Sequence, residues 1–212
     1  MAKLFSNEVA DQIRDILKDM INPITILLFT DKDCDTCKET KQLLEETSGL
    51  SDKITLRTLE LEDASNELEL YDIKLAPSFV FLDHENVYKG VKFNGIPAGH
   101  EINSFISAIL EMSGVSFNFS DDILKRIENI TEPVDIKVFV TLSCPHCPGA
   151  VQTAHRMAML NKNIKAEMIE AQTFYDLSTK YNVSGVPKII INDTLELVGN
   201  QPIEAFLDKL GK

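Results

Sequence analysis

The sequence has 212 residues, of which 44% are hydrophobic and 25% are charged, and its formal net charge is −12. This composition is typical of a globular protein with one or two domains, and the acidic charge argues against nucleic acid and anionic membranes as partners. No apolar run approaches the ~20 residues that span a bilayer. The first residues run directly into a predicted helix, so we expect no signal peptide and a cytoplasmic location.

The first half of the chain predicts the element order α-β-α-β-α-β-β-α. An acidic amphipathic helix with Ser6 or Asn7 as N-cap is ended by Pro23. The near-continuous apolar run 24–30 predicts a strand covered on both faces. Apolar spacing, alternation and turn residues predict the remaining elements: a charged helix after Cys37, a strand at 54–61, an acidic helix at 62–72, strands at 78–82 and 88–93, and a closing helix around 102–109.

The second half repeats this order at a fixed distance of 110 residues. The matching landmarks are Pro23 and Pro133, Cys34 and Cys144, Cys37 and Cys147, Tyr71 and Tyr181, Pro77 and Pro187, and Asp83 and Asp193. The copies then differ in length at a predicted hairpin tip, where insertions are tolerated. We therefore predict two copies of one unit, residues 1–115 and 116–212, with Ser120 capping the helix that opens the second copy.

Each copy carries a Cys-x-x-Cys pair where a predicted strand gives way to a helix, and we predict that Cys144 lies at the N-terminus of its helix. The N–H groups at a helix N-terminus favour an anion, and the thiolate is the reactive form of cysteine. A structural disulfide or half of a zinc site would explain a single pair. A zinc ribbon needs about 15–20 residues between its two pairs, and here the pairs belong to separate copies, so we predict redox chemistry and no metal.

Pro77 and Pro187 occupy equivalent positions in the two copies. Each lies just before an apolar strand, at the same distance from the first cysteine of its copy. A strand-initiating proline would explain one such position. Because a cis X–Pro bond is only about 0.5–1 kcal/mol less favourable than trans, the recurrence predicts a cis-proline beside each cysteine pair.

These features together resemble the thioredoxin fold. Two fused units that both retain Cys-x-x-Cys resemble the glutaredoxin-like protein disulfide oxidoreductases of archaea and thermophilic bacteria. The most specific residues are Cys144-Pro145-His146-Cys147, Val186-Pro187 and the segment 95–101. The resemblance implies an α/β fold of two tandem thioredoxin-fold units, each a mixed central sheet flanked by helices. The chain departs from thioredoxin itself, since it has no Trp, and Leu28 and Val138 stand where thioredoxin has a buried Asp. It therefore shows no proton acceptor for the second cysteine of either pair.

The resemblance implies dithiol–disulfide exchange on protein substrates. It implies no cofactor beyond the redox-active disulfides, with electrons supplied by a flavin-dependent thioredoxin reductase. A second hypothesis is an electron relay to a peroxidase of the peroxiredoxin type, like the N-terminal domain of alkyl hydroperoxide reductase flavoproteins. Those domains keep one active Cys-x-x-Cys, whereas both survive here. A third hypothesis is a thioredoxin-fold binding module without catalysis.

The chemistry assigns a role to each residue of the second copy. Cys144 is the expected nucleophile, and Cys147 resolves the mixed disulfide. Pro145 shapes the turn, and His146 either stabilises the Cys144 thiolate or is an exposed, solvated histidine. Val186 and Pro187 offer backbone to an extended substrate segment. In the first copy Cys34, Cys37, Ala76 and Pro77 take the same roles.

The two sites are not expected to be equal. Asp31, Asp33 and Asp35 surround Cys34, and nearby negative charge disfavours a thiolate. No acid lies within several residues of Cys144. A lower thiol pKa stabilises the reduced form, so we predict that the Cys144 site is the dominant and more oxidising one.

Overall fold

The computed structural model describes residues 3–212. Met1 and Ala2 lie outside the described residues, and they begin the stretch on which the signal-peptide prediction rests. The helices are α1 Asn7–Leu17, α2 Asp35–Ser48, α3 Ser65–Leu70, α4 Ile102–Met112, α5 Asp121–Glu128, α6 Cys147–Leu160, α7 Tyr175–Lys180 and α8 Ile203–Lys209. The strands are β1 Ile24–Thr30, β2 Ile54–Glu60, β3 Ser78–Leu82, β4 Tyr88–Asn94, β5 Val134–Val140, β6 Ile164–Glu170, β7 Lys188–Ile191 and β8 Leu195–Val198. Short 3₁₀ turns occupy Leu61–Asp63 and Gly99–Glu101. Within residues 3–212, none of the helices combines the length and the apolar character needed to cross a bilayer.

The chain forms two compact units. Unit 1 holds the chain up to Tyr88 together with Asn94–Ile96 and Ile106–Ser116, and unit 2 holds Lys89–Phe93, Pro97–Phe105 and Phe117–Lys212. Two segments of the first sequence copy therefore belong to unit 2. The predicted copy boundary at 115/116 follows the sequence repeat and stays a prediction.

In unit 1 the strand order is β2-β1-β3. β1 runs parallel to β2 and antiparallel to β3, so the sheet is mixed. The strand β1 is almost entirely buried, as its continuous apolar run predicts. The core on one face of this sheet contains Leu27, Phe29, Val80, Leu82, Tyr71 and Ile73.

In unit 2 the strand order is β4-β6-β5-β7-β8. β5 runs parallel to β6 and antiparallel to β7. Its register pairs Val134 with Ile164, which is the pairing of Ile24 with Ile54 in unit 1 displaced by 110 residues. Phe139, Ile169, Tyr181 and Ile190 form the corresponding core. The predicted α/β fold, with a mixed sheet and flanking helices in each unit, is confirmed.

Two predicted elements differ from the structure in detail. The Ser6 hydroxyl caps α1 by accepting from the Val9 N–H, and Ser6 was one of the two predicted N-cap residues. The helix ends at Leu17, however, well before the predicted end at Pro23. The predicted acidic helix 62–72 is divided into the 3₁₀ turn and α3 at Ala64. Ala64 is only 1% exposed and packs into the unit 1 core, so burying it takes priority over a continuous helix.

Candidate active site

In unit 2, the loop after β5 carries the disulfide Cys144–Cys147 into helix α6. The Cα atoms of the two cysteines are 5.5 Å apart. The prediction that Cys144 begins the helix is wrong, because α6 starts at Cys147. A helical N–H at position 148 would donate to the carbonyl of Cys144, and Pro148 has no N–H. Cys144 and Pro145 therefore lie in the turn that leads into the helix.

In unit 1, the equivalent disulfide Cys34–Cys37 has a Cα–Cα distance of 5.2 Å. Here Cys34 is the N-cap of α2, and the Cys37 N–H donates to its Sγ at 3.1 Å. The Thr36 hydroxyl lies 3.5 Å from the same sulfur. N–H and O–H groups so placed stabilise a thiolate once the disulfide is reduced.

The two cysteines of each pair differ in burial. The second ones, Cys37 and Cys147, are 3% and 0% exposed. Cys34 is half-buried and Cys144 is 9% exposed, so in both units the first sulfur is the more accessible to a substrate. This order of exposure agrees with the predicted roles of nucleophile and resolving cysteine.

The peptide bonds Ala76–Pro77 and Val186–Pro187 are both cis, which confirms the prediction from their spacing. The Ala76 carbonyl oxygen lies 3.8 Å from Cys34 Sγ, and the Val186 carbonyl oxygen lies 3.9 Å from Cys144 Sγ. Each proline carbonyl also accepts a backbone N–H from the glycine that follows the hairpin, Gly95 in unit 1 and Gly199 in unit 2. In each unit, the residue before the cis-proline thus lies next to the first cysteine, as predicted.

The charges around the two sites differ as the sequence indicates. Asp31, Asp33 and Asp35 are all exposed beside Cys34. Lys38 hydrogen-bonds Asp35 at 2.9 Å and holds the pKa of that carboxyl below its ordinary value. In unit 2, Pro145 and His146 are exposed around the more buried Cys144.

Unit 2 also contains a buried acid, Glu101, which is 0% exposed. Burial raises the pKa of its carboxyl to about 7, although the hydrogen bond from Ser104 acts in the opposite direction. Ser104 donates to one carboxylate oxygen, and the other has no hydrogen-bond partner among the described residues. A carboxyl with a pKa near neutrality, held in a protein interior, is suited to proton transfer.

Glu101 is held against the loop that carries the disulfide of unit 2. The His100 N–H donates to the Leu142 carbonyl at 2.9 Å, two residues before Cys144. Gly99 has φ +58°, and a Cβ at this position would overlap the same carbonyl oxygen. The turn Gly99–Glu101 also packs against α6, the helix that begins at Cys147.

Sequence reasoning named the segment 95–101 but assigned no role to Glu101. A usable signal was present: Glu101 is the one acid between Gly95 and Leu110, in a stretch with helical apolar spacing. An acid in such an apolar setting is a candidate for a perturbed pKa.

The architecture agrees with that of known redox proteins. A family model described as a thioredoxin domain matches residues 134–212. A protein disulfide oxidoreductase from Aeropyrum pernix K1 has a TM-score of 0.88 and 30% identity, over 96% of this chain and 90% of that chain. The chain belongs to the tandem thioredoxin-fold family that includes this protein. With a Cys-x-x-Cys disulfide in each of its two units, it is a thiol–disulfide oxidoreductase.

The family also shares its fold with AhpF, a component of alkyl hydroperoxide reductase. The structure of a mutant AhpF from Enterococcus faecalis has a TM-score of 0.91 and 30% identity, over 98% of this chain and 100% of that chain. The AhpF protein of Pseudomonas aeruginosa is 31% identical over 94% of this chain and 36% of its own length. That of Staphylococcus aureus MRSA252 is 30% identical over 98% of this chain and 38% of its own length. The chain thus spans little more than a third of these curated relatives.

Proposed function

We propose that the protein catalyses dithiol–disulfide exchange on protein substrates, and that the unit 2 site performs most of the turnover. The observation that carries this proposal is the pairing of an accessible first sulfur with a backbone carbonyl before a cis-proline, at 3.8 Å and 3.9 Å in the two units. Such a carbonyl can hydrogen-bond the backbone of an extended polypeptide. The arrangement therefore suits a protein disulfide better than a small thiol.

In the reducing direction, the Cys144 thiolate attacks one sulfur of the substrate disulfide and releases the other as a thiolate, which takes up a proton. The Cys147 thiol then loses its proton and attacks Cys144, which releases the second substrate sulfur and leaves the enzyme disulfide. Two electrons pass from the enzyme dithiol to the substrate. Pro145 and His146 border the nucleophile, and Val186 and Pro187 position the substrate. Cys34, Cys37, Ala76 and Pro77 perform the same steps in unit 1.

Glu101 is the proposed proton acceptor for Cys147. The second cysteine is fully buried, so its proton cannot pass directly to bulk water. The Glu101 carboxyl is also buried, its pKa is about 7, and its turn packs against the helix that Cys147 begins. A group with a pKa near the working pH accepts and returns a proton with little driving force in either direction.

Electrons for repeated reduction come, in this proposal, from a flavin-dependent thioredoxin reductase, and no cofactor is held by the chain itself. The redox poise of the compartment and the partner then decide whether substrates are reduced, oxidised or isomerised. The cytoplasmic location stays a prediction of the sequence.

A second candidate function is an electron relay to a peroxidase. It is favoured by the AhpF relatives of alkyl hydroperoxide reductase, which align with 94–98% of this chain. The presence of two Cys-x-x-Cys disulfides in this chain favours the broader exchange activity.

Insulin reduction by dithiothreitol tests the main proposal. The wild-type chain should accelerate it, and a variant with all four cysteines replaced by Ser should not. Acceleration that survives in the four-serine variant would contradict an enzymatic role. Mixed disulfides trapped by Cys37→Ser and Cys147→Ser in cell lysate should contain several different proteins.

The relay candidate makes a different prediction in the same assays. The reduced chain, mixed with a peroxiredoxin and an alkyl hydroperoxide, should be oxidised faster than by insulin. The trapped mixed disulfides should then contain a single dominant partner. Equal or faster oxidation by insulin would exclude the relay as the main function.

A further inference from the structure

An open cavity of about 480 Å³ lies beside the proline loop of unit 2. It is bounded on one side by the residues that follow β6 and on the other by the loop that leads to cis-Pro187. The residues that form it include Ala171, Gln172, Tyr175, Asn182, Val183 and Ser184. All its lining residues are uncharged in a chain whose net charge is −12.

Tyr175 is the most conspicuous residue of this cavity. It is 70% exposed, although large aromatic side chains usually contribute to cores or interfaces. It lines the cavity together with Val183 and Ala171, which supply apolar surface. An aromatic ring that enters the cavity would gain a partner ring and an apolar wall, with amide and hydroxyl groups around its edge.

The shape of the cavity is fixed by hydrogen bonds. Lys188, which is 7% exposed, donates from Nζ to the Tyr181 carbonyl at 2.8 Å and to the Asn182 carbonyl at 3.2 Å. The Ser178 hydroxyl donates to the Ala171 carbonyl at 3.0 Å. Hydrogen bonds therefore hold both walls of the cavity in place. A preformed site loses little conformational entropy when a ligand binds.

The equivalent residues of unit 1 differ in chemistry. At the 110-residue spacing, Tyr175 corresponds to Ser65, and the neutral Gln172, Thr179 and Asn182 correspond to Glu62, Glu69 and Asp72. Lys188 and Ser178 correspond to Ser78 and Leu68. The Ser78 hydroxyl donates to the Leu75 carbonyl at 2.6 Å, a different point of the proline loop, and Leu68 has no hydroxyl. The uncharged lining of the cavity is thus a property of the unit 2 sequence and not of the shared fold.

Register connects the cavity with the reacting sulfur. Ser184 precedes Val186 by two residues, and the Val186 carbonyl lies 3.9 Å from Cys144 Sγ. Two residues of extended chain span roughly 7 Å, and alternate side chains point to the same face. A substrate strand that pairs at Val186 and follows this loop would therefore direct the side chain two positions from its bonded residue towards Ser184 and the cavity.

We propose that this cavity binds an aromatic side chain of the polypeptide whose disulfide reacts at Cys144, about two residues from the reacting cysteine. The inference rests on the proposed function, since it assigns a substrate preference to that same site. It predicts that the two units accept different substrates, with the uncharged, aromatic-binding cavity confined to unit 2.

The test uses the full chain with Cys34→Ser and Cys37→Ser, so that unit 2 alone reacts. Substrates are short Gly-based peptides with one cysteine joined by a disulfide to 2-mercaptoethanol. They carry Phe, Leu, Gln, Glu or Lys two residues before or two residues after that cysteine. Hydroxyethyl disulfide serves as a substrate that is too small to reach the cavity. Dithiothreitol keeps the chain reduced, its uncatalysed rate is subtracted, and kcat/KM for each substrate is measured relative to hydroxyethyl disulfide.

We expect Phe in one of the two positions to raise this ratio about fivefold over Gln, a gain typical of one aromatic contact. Tyr175→Ser, which installs the unit 1 residue, should remove the Phe preference. Thr179→Glu should disfavour the Glu peptide and favour the Lys peptide. Asp176→Asn is the matched control, because Asp176 is exposed on the same helix outside the cavity and Asn66 is its unit 1 counterpart.

Equal ratios for all peptides in the parent chain would overturn the inference, as would a Phe preference that persists in Tyr175→Ser. Failure of the proposed function gives a different result, because hydroxyethyl disulfide and every peptide would then remain unreduced.

Discussion

The two Cys-x-x-Cys sites of this chain share a backbone frame but not their surroundings. In both units the second sulfur is buried, and the first lies within 4 Å of a carbonyl that precedes a cis-proline. Cys34 is a helix N-cap with an N–H directed at its sulfur, whereas Cys144 stands three residues before its helix begins. The frame is what disulfide exchange requires, and the duplication has kept it. The residues around the two cysteine pairs, to which we assign thiol pKa, proton transfer and substrate choice, differ between the units.

The surroundings of Cys34 act on its thiol in opposite directions. The exposed carboxylates Asp31 and Asp33 disfavour a thiolate, while the Cys37 N–H at 3.1 Å favours one. Unit 2 lacks the acidic cluster beside its first cysteine and has the buried carboxyl of Glu101 instead. We therefore predict that the two sites differ more in catalytic rate than in redox potential.

The largest effect should come from the nucleophiles. In a chain with Cys34→Ser and Cys37→Ser, the further change Cys144→Ser should lower insulin reduction at least about 10³-fold, because a hydroxyl cannot form the mixed disulfide. In intact chains, Cys144→Ser should remove more of the insulin reduction than Cys34→Ser. Initial rates at equal dithiothreitol concentration measure both. A greater loss in Cys34→Ser would reverse the proposed dominance of unit 2.

Glu101→Gln should slow the unit 2 site by about 10²-fold, the usual contribution of a positioned acid or base. The kcat of the parent chain should also show an inflection near pH 7, where Glu101 ionises, and the variant should lose it. The matched control is Glu204→Gln, at an exposed acid in the first turn of α8. An unchanged pH profile in Glu101→Gln would show that this carboxyl does not transfer the proton.

The same carboxyl predicts how stability depends on pH. Its pKa is about 7 in the folded chain against an ordinary value of 4.5, so between these values the folded state holds a proton that the unfolded state has released. The free energy of unfolding should therefore fall as pH rises from 4.5 to 7, by up to about 3 kcal/mol. Glu101→Gln should remove this slope in urea denaturation of the oxidised chain at pH 5 and 8. Identical slopes in the two proteins would contradict the raised pKa.

Gly99→Ala should destabilise the chain by about 2 kcal/mol, because the glycine has φ +58° and a Cβ would overlap the Leu142 carbonyl. Gly185→Ala provides the control, since nothing lies within 4 Å of a Cβ there, and it should change stability by less than about 0.5 kcal/mol. Urea denaturation of both variants gives the comparison. If Gly99→Ala were as stable as the control, the close seating of this turn would be wrong.

The smallest effect concerns the redox potentials. We expect the Cys144 site to be the more oxidising, as the sequence predicts. Asp31→Asn with Asp33→Asn should raise the potential of the Cys34 site by about 10–20 mV, since each exposed charge contributes less than about 1 kcal/mol. Thr36→Val should lower it by removing a hydroxyl near the sulfur. Redox titration of chains with one intact pair measures these values, and a more oxidising Cys34 site would refute the predicted order.

Residues related by the repeat could be predicted from the sequence. Both cysteine pairs and both cis-prolines could be predicted because the same strand-turn-helix pattern occurs twice, at a fixed spacing. Pro148 also indicates the later start of α6, because a proline has no N–H to donate to the carbonyl of Cys144. The prediction that placed Cys144 at the helix N-terminus did not take this into account. Glu101 could not be placed in the same way, since its turn is held by the hydrogen bond from the His100 N–H to the Leu142 carbonyl, between residues 42 positions apart.

The grouping of Pro97–Phe105 with unit 2 has a consequence for dissecting the molecule. A gene cut at the sequence repeat, after residue 115, would encode a C-terminal fragment that has Cys144, Cys147 and Pro187 but no Glu101. Such a fragment would keep the proposed nucleophile and lose the proposed proton acceptor. The boundaries of the sequence copies therefore differ from those of the compact units. A minimal fragment containing unit 2 needs residues from before the repeat boundary.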